Sequence, residues 1–252
     1  MKVSRTPWEV LKEFTHARVA INRVGHAVTT EENLKFQLSH AQARDAIHQQ
    51  ARFAEMQEQL EKAGLEVLHI RSQAADRVAY LKRPDLGRSL HPSDAEHLQS
   101  LHPEPTDILI VIGDGLSATA VNEHAARVAL KLVSALSSKG FSVAPVVLAS
   151  QSRVALADSI GEMLQARLSI MLIGERPGLS SSDSLGAYLT FQPRMGRMDS
   201  ERNCVSNINA KGLSDEAAIH SLVFLASSAL RLQFSGVHLK DESSRHGLEE
   251  ST

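Results

Sequence analysis

Leu168-Ser-Ile-Met-Leu-Ile173 runs into Gly174-Glu-Arg-Pro-Gly-Leu179 and then into a serine-rich turn at residues 180–184. The apolar run is short, rich in Ile and Leu, and ended by glycine and proline. That combination predicts a strand buried on both faces, as in a parallel sheet, and not a helix. In open α/β sheets ligands bind beyond the carboxyl ends of the strands. The charged pair Glu175 and Arg176, set just past this end, are therefore the first residues to suspect.

Outward from this stretch, strand and helix patterns alternate from residue 107 onward. Strands are expected at 108–112, 141–149 and 187–191, and helices at 118–138, 154–166 and 214–234. Short connections between such units imply right-handed crossovers, so the expectation is an α/β fold: a Rossmann-like parallel sheet with helices on both faces. Pro145, inside the second strand, points to an edge position or a bulge. His102-Pro-Glu-Pro-Thr106 reads as a linker. It divides the chain into a smaller, mainly helical N-terminal region over 1–102 and the Rossmann-like domain over 107–240, with a flexible tail at 241–252.

Within the N-terminal region, Thr6-Pro7-Trp8-Glu9 has the residues that open a helix, here running toward residue 20. Thr29 to Glu32 forms a second capping box, ahead of a long polar helix over 34–62 that stops at Gly64. Its mixed-charge cluster, His40, Arg44, Asp45 and His48, reads as a solvated face. A short strand is expected at 65–70, a loop carrying Lys82, Arg83 and Arg88 at 80–90, and a short helix capped near Ser93.

The 252 residues carry 27 basic and 29 acidic side chains, a net charge of -2. This leaves no broad electropositive footprint, so nucleic acid is not expected as a partner. There is no apolar run of membrane-spanning length and no secretory leader pattern, which makes the expected location cytoplasmic. The one cysteine, Cys204, excludes an internal disulfide framework and a thiolate metal cluster. Twelve scattered histidines form no His-Glu-x-x-His run, so no metal site is assigned. No Gly-x-Ser-x-Gly elbow occurs either. Cys204 falls in a polar loop after the fourth strand, where a nucleophile, a binding-loop residue and a small buried hydrophobe are all open to it.

Gly113-Asp114-Gly115-Leu116-Ser117-Ala118 fits the dinucleotide fingerprint with alanine in the third glycine position, between a strand and a helix. Two features speak against NAD. Asp114 would set a carboxylate beside the pyrophosphate, and no acid ends the second strand at residues 147–149, where a ribose partner belongs. A sterically required tight turn explains the same glycines.

Four motifs together carry a family resemblance: Asp107-Ile-Leu-Ile-Val-Ile-Gly-Asp-Gly-Leu-Ser117, Ile160-Gly-Glu-Met-Leu164, Gly174-Glu-Arg-Pro-Gly-Leu179 and Arg202-Asn-Cys-Val-Ser-Asn-Ile208. With residues 36–46 and Arg83-Pro-Asp-Leu-Gly-Arg88, they resemble the small (light) subunits of ethanolamine ammonia-lyase, from about Phe14 to the last helix. The resemblance implies an adenosylcobalamin-dependent lyase that converts ethanolamine to acetaldehyde and ammonia by a radical route. It implies a hetero-oligomer in which a TIM-barrel large subunit holds the substrate and this chain covers the cobalamin. It places cofactor contacts on Val154, Glu175 and Cys204, with Arg176 a weaker candidate, and assigns no catalytic acid, base or nucleophile here. No histidine has the Asp-x-His-x-x-Gly context, so the cofactor is expected base-on, with its own dimethylbenzimidazole on cobalt. The resemblance also implies two expected locations, the cytoplasm and a bacterial microcompartment, the second put in doubt because the sequence reads as lacking the amino-terminal extension that the family links to packaging. An NAD-dependent oxidoreductase and a non-catalytic assembly subunit are the alternatives.

Overall fold

The computed structural model describes residues 7–15 and 17–243. A 3-10 segment, Pro7–Glu13, stands where the first helix was expected, and its expected cap, Thr6, lies outside the described residues. The short strands β1 (Arg23–Val24) and β2 (Ala27–Val28) pair antiparallel. Helix α1 (Thr30–His48) begins as the capping pattern predicts, with the Glu32 N–H donating to Thr29 Oγ1 at 3.3 Å. The single helix expected over 34–62 is two helices, because residues 49–52 turn to meet a distant side chain. Asn122 Oδ1 accepts the Arg52 N–H at 2.7 Å, and Asn122 Nδ2 donates to the Gln50 carbonyl at 3.1 Å. Helix α2 (Phe53–Lys62) resumes beyond that turn.

Strand β3 (Val67–Arg71), helix α3 (Arg77–Lys82), a 3-10 turn at Leu86–Arg88 and helix α4 (Pro92–Ser100) follow. Pro92 opens α4, since its missing N–H is one that a first helical turn leaves unused. Then come β4 (Thr106–Gly113), a helical rod made of α5 (Ala118–Ala120), a π-turn at Val121–Ala125 and α6 (Ala126–Ser138), β5 (Val146–Ser150), α7 (Leu156–Met163) and β6 (Ala166–Gly174). The chain closes with β7 (Leu185–Phe191), β8 (Arg202–Ile208) and α8 (Asp215–Leu232). The expected tail lies mostly in residues 244–252, outside the described ones.

The main sheet has six strands in the order β3-β5-β4-β6-β7-β8. Four departures from expectation have physical reasons. The sheet is mixed, not all parallel: β3, β5, β4 and β6 run together, while β7 returns antiparallel to β6 and β8 antiparallel to β7. No helix intervenes between β6 and β7, and without a crossover a strand must come back the other way. Strand β5 is internal, and Pro145 sits just ahead of it, where the sheet requires no N–H from that residue. Residues 202–208, read as loop, are the strand β8, whose Val205 and Ile208 enter the core while Cys204 and Ser206 stay exposed. Finally, β3 comes from the chain before His102-Pro-Glu-Pro-Thr106, so the sheet draws strands from both sides of that segment.

Two apolar layers sandwich the sheet. On one side α2, α6 and α8 pack Leu60, Leu132 and Leu222 against Ile110, Ile170 and Leu189. On the other, α4 and α7 pack Leu98, Leu156 and Ile160 against Leu109, Val111 and Met171. Among the described residues no helix is long and apolar enough to cross a membrane.

Candidate functional site: an open face of the antiparallel wing

Among the described residues, the mixed topology leaves part of one sheet surface without a helix packed on it. Helix α8 packs on β6, β7 and β8 from one side, whereas on the opposite side α7 packs on β6. Beyond α7 the second face of β7 and β8 is therefore left to its own side chains. Tyr188 and Cys204 are cross-strand partners there, Tyr188 half-buried and Cys204 exposed. Partial burial pushes the Cys204 thiol above its ordinary value of 9.0, against a hydrogen bond with Tyr188 that pulls it down; the nearby Glu175 carboxylate adds to the upward shift. Burial likewise pushes the Tyr188 phenol up, reinforced by Cys204. Both groups stay protonated at neutral pH. Cys204 is thus a neutral, polarizable surface and not an activated nucleophile.

A cavity of about 540 Å³ opens beside this pair. Its lining includes Val154 and Ala155 from the turn entering α7, Tyr188 and Cys204 from the wing, and four arginines, Arg88, Arg153, Arg197 and Arg202. Two of the four are neutralised. The buried Arg202 forms a bidentate pair with the equally buried Asp158 of α7, Nη1 to Oδ1 at 2.6 Å and Nη2 to Oδ2 at 2.7 Å, and also donates to Thr190 Oγ1 and the Arg197 carbonyl. Burial pulls the Arg202 guanidinium down, and the Asp158 carboxylate more than restores it, so the charge stays in place. Arg197 pairs with Glu201. Arg88 and Arg153 have no carboxylate partner among the described residues. Arg202 Nε lies 3.5 Å from Asp199 Oδ1, and the Nε–H of Arg153 is buried without a hydrogen-bond partner among the described residues.

Of the three residues expected to converge, Val154 and Cys204 share the cavity. Val154 belongs to the turn before α7, not to the helix. Glu175 sits half-buried on the same face beyond that lining. Its Oε2 accepts Ser184 Oγ at 2.5 Å and the Asn207 N–H at 3.3 Å. Oε1 accepts no hydrogen bond among the described residues and lies over Gly186, where a Cβ would come within 2.8 Å of it. Arg176 is exposed and pairs with neither Glu175 nor Asp183.

The Gly113-Asp114-Gly115 turn is closed to a dinucleotide. Gly115 has φ +57°, and a Cβ on it would lie 2.3 Å from the Gly174 carbonyl oxygen. Leu116 N–H donates to that same oxygen at 2.9 Å, and Ser117 Oγ to the Ser182 carbonyl at 2.6 Å. The ends of β4 and β6, where the strand order reverses and a cofactor crevice belongs, thus meet backbone to backbone. Asp114 faces inward, its carboxylate accepting the Gln151 and Ser152 N–H groups at 2.9 Å each. It fastens the turn after β5.

Glu123, His124 and Asp183 bring three ligand atoms within 4.8 Å of one another. Arg127, which can only donate, lies 3.1 Å from His124 Nδ1 and is itself held by Asp215. Nδ1 must accept, so the ring proton sits on Nε2 and points at the carboxylates. A metal would need a lone pair there.

A family model described as the ethanolamine ammonia-lyase light chain matches residues 5–240. The chain belongs to this ethanolamine ammonia-lyase light-chain family. Relatives named as ethanolamine ammonia-lyase small subunits include one from Azotobacter vinelandii, 49% identical over 243 residues, 95% of this chain and 90% of the relative. One from Xanthomonas campestris is 48% identical over 244 residues, 96% and 90% of the two chains, and one from Pseudomonas fluorescens Pf-5 is 46% identical over 243 residues, 95% and 89%. Membership makes the chain a component of an ammonia-lyase, a carbon–nitrogen lyase.

Reading the sequence against this family locates Val154 and Cys204 on one cavity but misses its arginine wall. Arg88, Arg153 and Arg202 are far apart in sequence and on elements of different kinds. The one local signal is the cluster of basic residues at 82–88.

Proposed function

We propose that this chain is the cobalamin-covering subunit of an adenosylcobalamin-dependent ethanolamine ammonia-lyase, acting in a hetero-oligomer with a TIM-barrel large subunit that holds the substrate. The observation that carries the reading is the uncovered face of β7 and β8, with Val154 and Cys204 in one cavity and Glu175 on the same side. The residues present suit a corrinoid. Corrin side-chain amides need an acceptor, which Glu175 Oε1 offers. Val154, the Tyr188 ring and the Cys204 thiol give apolar contact to the macrocycle.

When bound, adenosylcobalamin supplies a cobalt–carbon bond whose homolysis starts radical chemistry. This chain's residues hold and orient it. The cavity is too small and open to enclose a corrinoid, so the partner must supply the second wall and the two together exclude water. Neutral Cys204 and Tyr188 place no nucleophile or base on the cofactor. The dinucleotide alternative finds its crevice filled by Gly115 and Gly174.

The test is to co-express the chain with its large subunit and titrate the complex with adenosylcobalamin, following the visible spectrum and ammonia release from ethanolamine. A spectral change with saturating turnover is expected, and its absence refutes the proposal. Glu175→Gln keeps an oxygen on the Ser184 and Asn207 donors but puts an NH2 donor where the Oε1 acceptor stood, so cobalamin affinity falls with little change in melting temperature.

A further inference from the structure

Four cations and one carboxylate, Asp199, line the cavity; Arg202 is paired with Asp158 and Asp199, and Arg197 with Glu201. What remains is a local excess of positive charge at Arg88 and Arg153. Neither is a floppy surface group by accident of sequence. The Arg153 guanidinium stacks on the ring of the fully buried Tyr80, 4.3 Å from its centroid, and donates through Nη2 to the Tyr80 carbonyl at 3.3 Å. Its backbone N–H donates to the Gly87 carbonyl at 2.8 Å. Gly87 is buried, and a Cβ there would come within 2.9 Å of Arg153 Cγ. The basic turn is therefore seated directly on Arg153 and delivers Arg88, the next residue, to the same wall. Within the turn Arg83 is occupied by Asp85, at 2.9 and 2.6 Å, which leaves Arg88 as the turn's contribution to the cavity. A planar guanidinium fixed on Tyr80 with no carboxylate partner, beside a second unpaired one in the same lining, is a site for an anionic oxygen acceptor.

The geometry points to a phosphodiester: Arg88 and Arg153 take the phosphodiester of cobalamin's nucleotide tail. This rests on the cobalamin reading above. A corrin periphery bears neutral amides, so the tail phosphate is the anionic group that matches the charge excess. The assignment orients the cofactor, with its tail against the arginine wall and its macrocycle over Val154 and Cys204, and it gives the turn at residues 82–88 a function as the mount for one half of the wall.

The experiment uses the full two-subunit complex and measures equilibrium binding of three corrinoids by visible absorption: cobalamin, cobinamide, which lacks the phosphate and nucleotide, and cobinamide phosphate, which restores the phosphate alone. Arg88→Ala removes an exposed side chain that holds nothing else in place. Arg153→Lys keeps the charge and loses the fork. Loss of a charge-assisted bond predicts that each variant binds cobalamin and cobinamide phosphate about ten- to a hundredfold more weakly and binds cobinamide as the wild type does. Variants that weaken all three ligands equally, or none, overturn the assignment while leaving cobalamin binding intact. A wild-type complex that binds no corrinoid overturns the cobalamin reading and this assignment with it.

Discussion

Removing Asp158 should strand a buried charge. In the wild type Arg202 and Asp158 have side chains 3% and 2% exposed and share two parallel hydrogen bonds of 2.6 and 2.7 Å. Breaking one partner of such a pair costs about 3–5 kcal/mol, because the survivor keeps its desolvation penalty without its counter-charge. Arg202 retains Thr190 Oγ1 at 3.0 Å, the Arg197 carbonyl at 2.9 Å and the solvent-exposed Asp199 carboxylate at 3.5 Å, so Asp158→Ala belongs at the lower end, about 3 kcal/mol. For a domain of this size that is a drop of roughly 6–12 °C in melting temperature. Replacing both partners, Asp158→Leu with Arg202→Met, removes the stranded charge and should recover most of the loss. The assay is thermal and urea unfolding of the two single variants and the double variant, in whichever assembly state gives a reversible transition. A cost below about 1 kcal/mol for Asp158→Ala, the value of an exposed pair, would refute the argument that α7 and β8 are joined through a dry ion pair.

Tyr80 is fully buried and its hydroxyl has no hydrogen-bond partner, with burial first among the causes that push its phenol up to about 12. Tyr80→Phe removes an unsatisfied polar group and keeps the ring under Arg153, so it should be neutral or stabilising by about 1 kcal/mol; a loss above about 1 kcal/mol in chemical unfolding would show a hidden partner. Asp94 accepts Arg71 Nη2 at 2.6 Å and the Arg71 backbone N–H at 2.7 Å. Burial pushes its carboxyl up, and these bonds pull it further down, to a net value below the ordinary 3.8. Because the folded value is depressed, the stabilisation is present above pH 3.8 and is lost as pH falls through the lower folded value. Asp94→Asn should therefore cost about 1 kcal/mol at neutral pH and flatten the acid limb of the stability curve below pH 3.8; an unchanged limb contradicts this. Cys204 is exposed with a raised thiol pKa, so alkylation should be slow at neutral pH, speed up above pH 9, and be blocked by bound cobalamin. Fast labelling at pH 7 would contradict the protonated thiol, and labelling that cobalamin leaves unchanged would contradict the site.

The sequence by itself determined the elements whose cause is local. The Thr29 cap, the apolar runs of β4 and β6, and the glycine turn after β4 are written in adjacent residues, and the structure places each where the pattern puts it. The motifs that carry the family resemblance are local as well, which is why Val154, Glu175 and Cys204 were legible as candidates. Tertiary structure decided what depends on distant partners. The break between α1 and α2 answers to Asn122, 70 residues from Arg52. Strand β8 has a mixed pattern because one of its faces packs on α8 while the other meets α7 through the Arg202–Asp158 pair and leaves Cys204 exposed. The antiparallel return of β7 and β8 creates that open face, and no periodicity announces a surface left uncovered. The arginine wall arises because Tyr80, Gly87 and Arg153 stack across the sheet's carboxyl edge, so residue types scattered over the chain acquire one chemical purpose through packing alone.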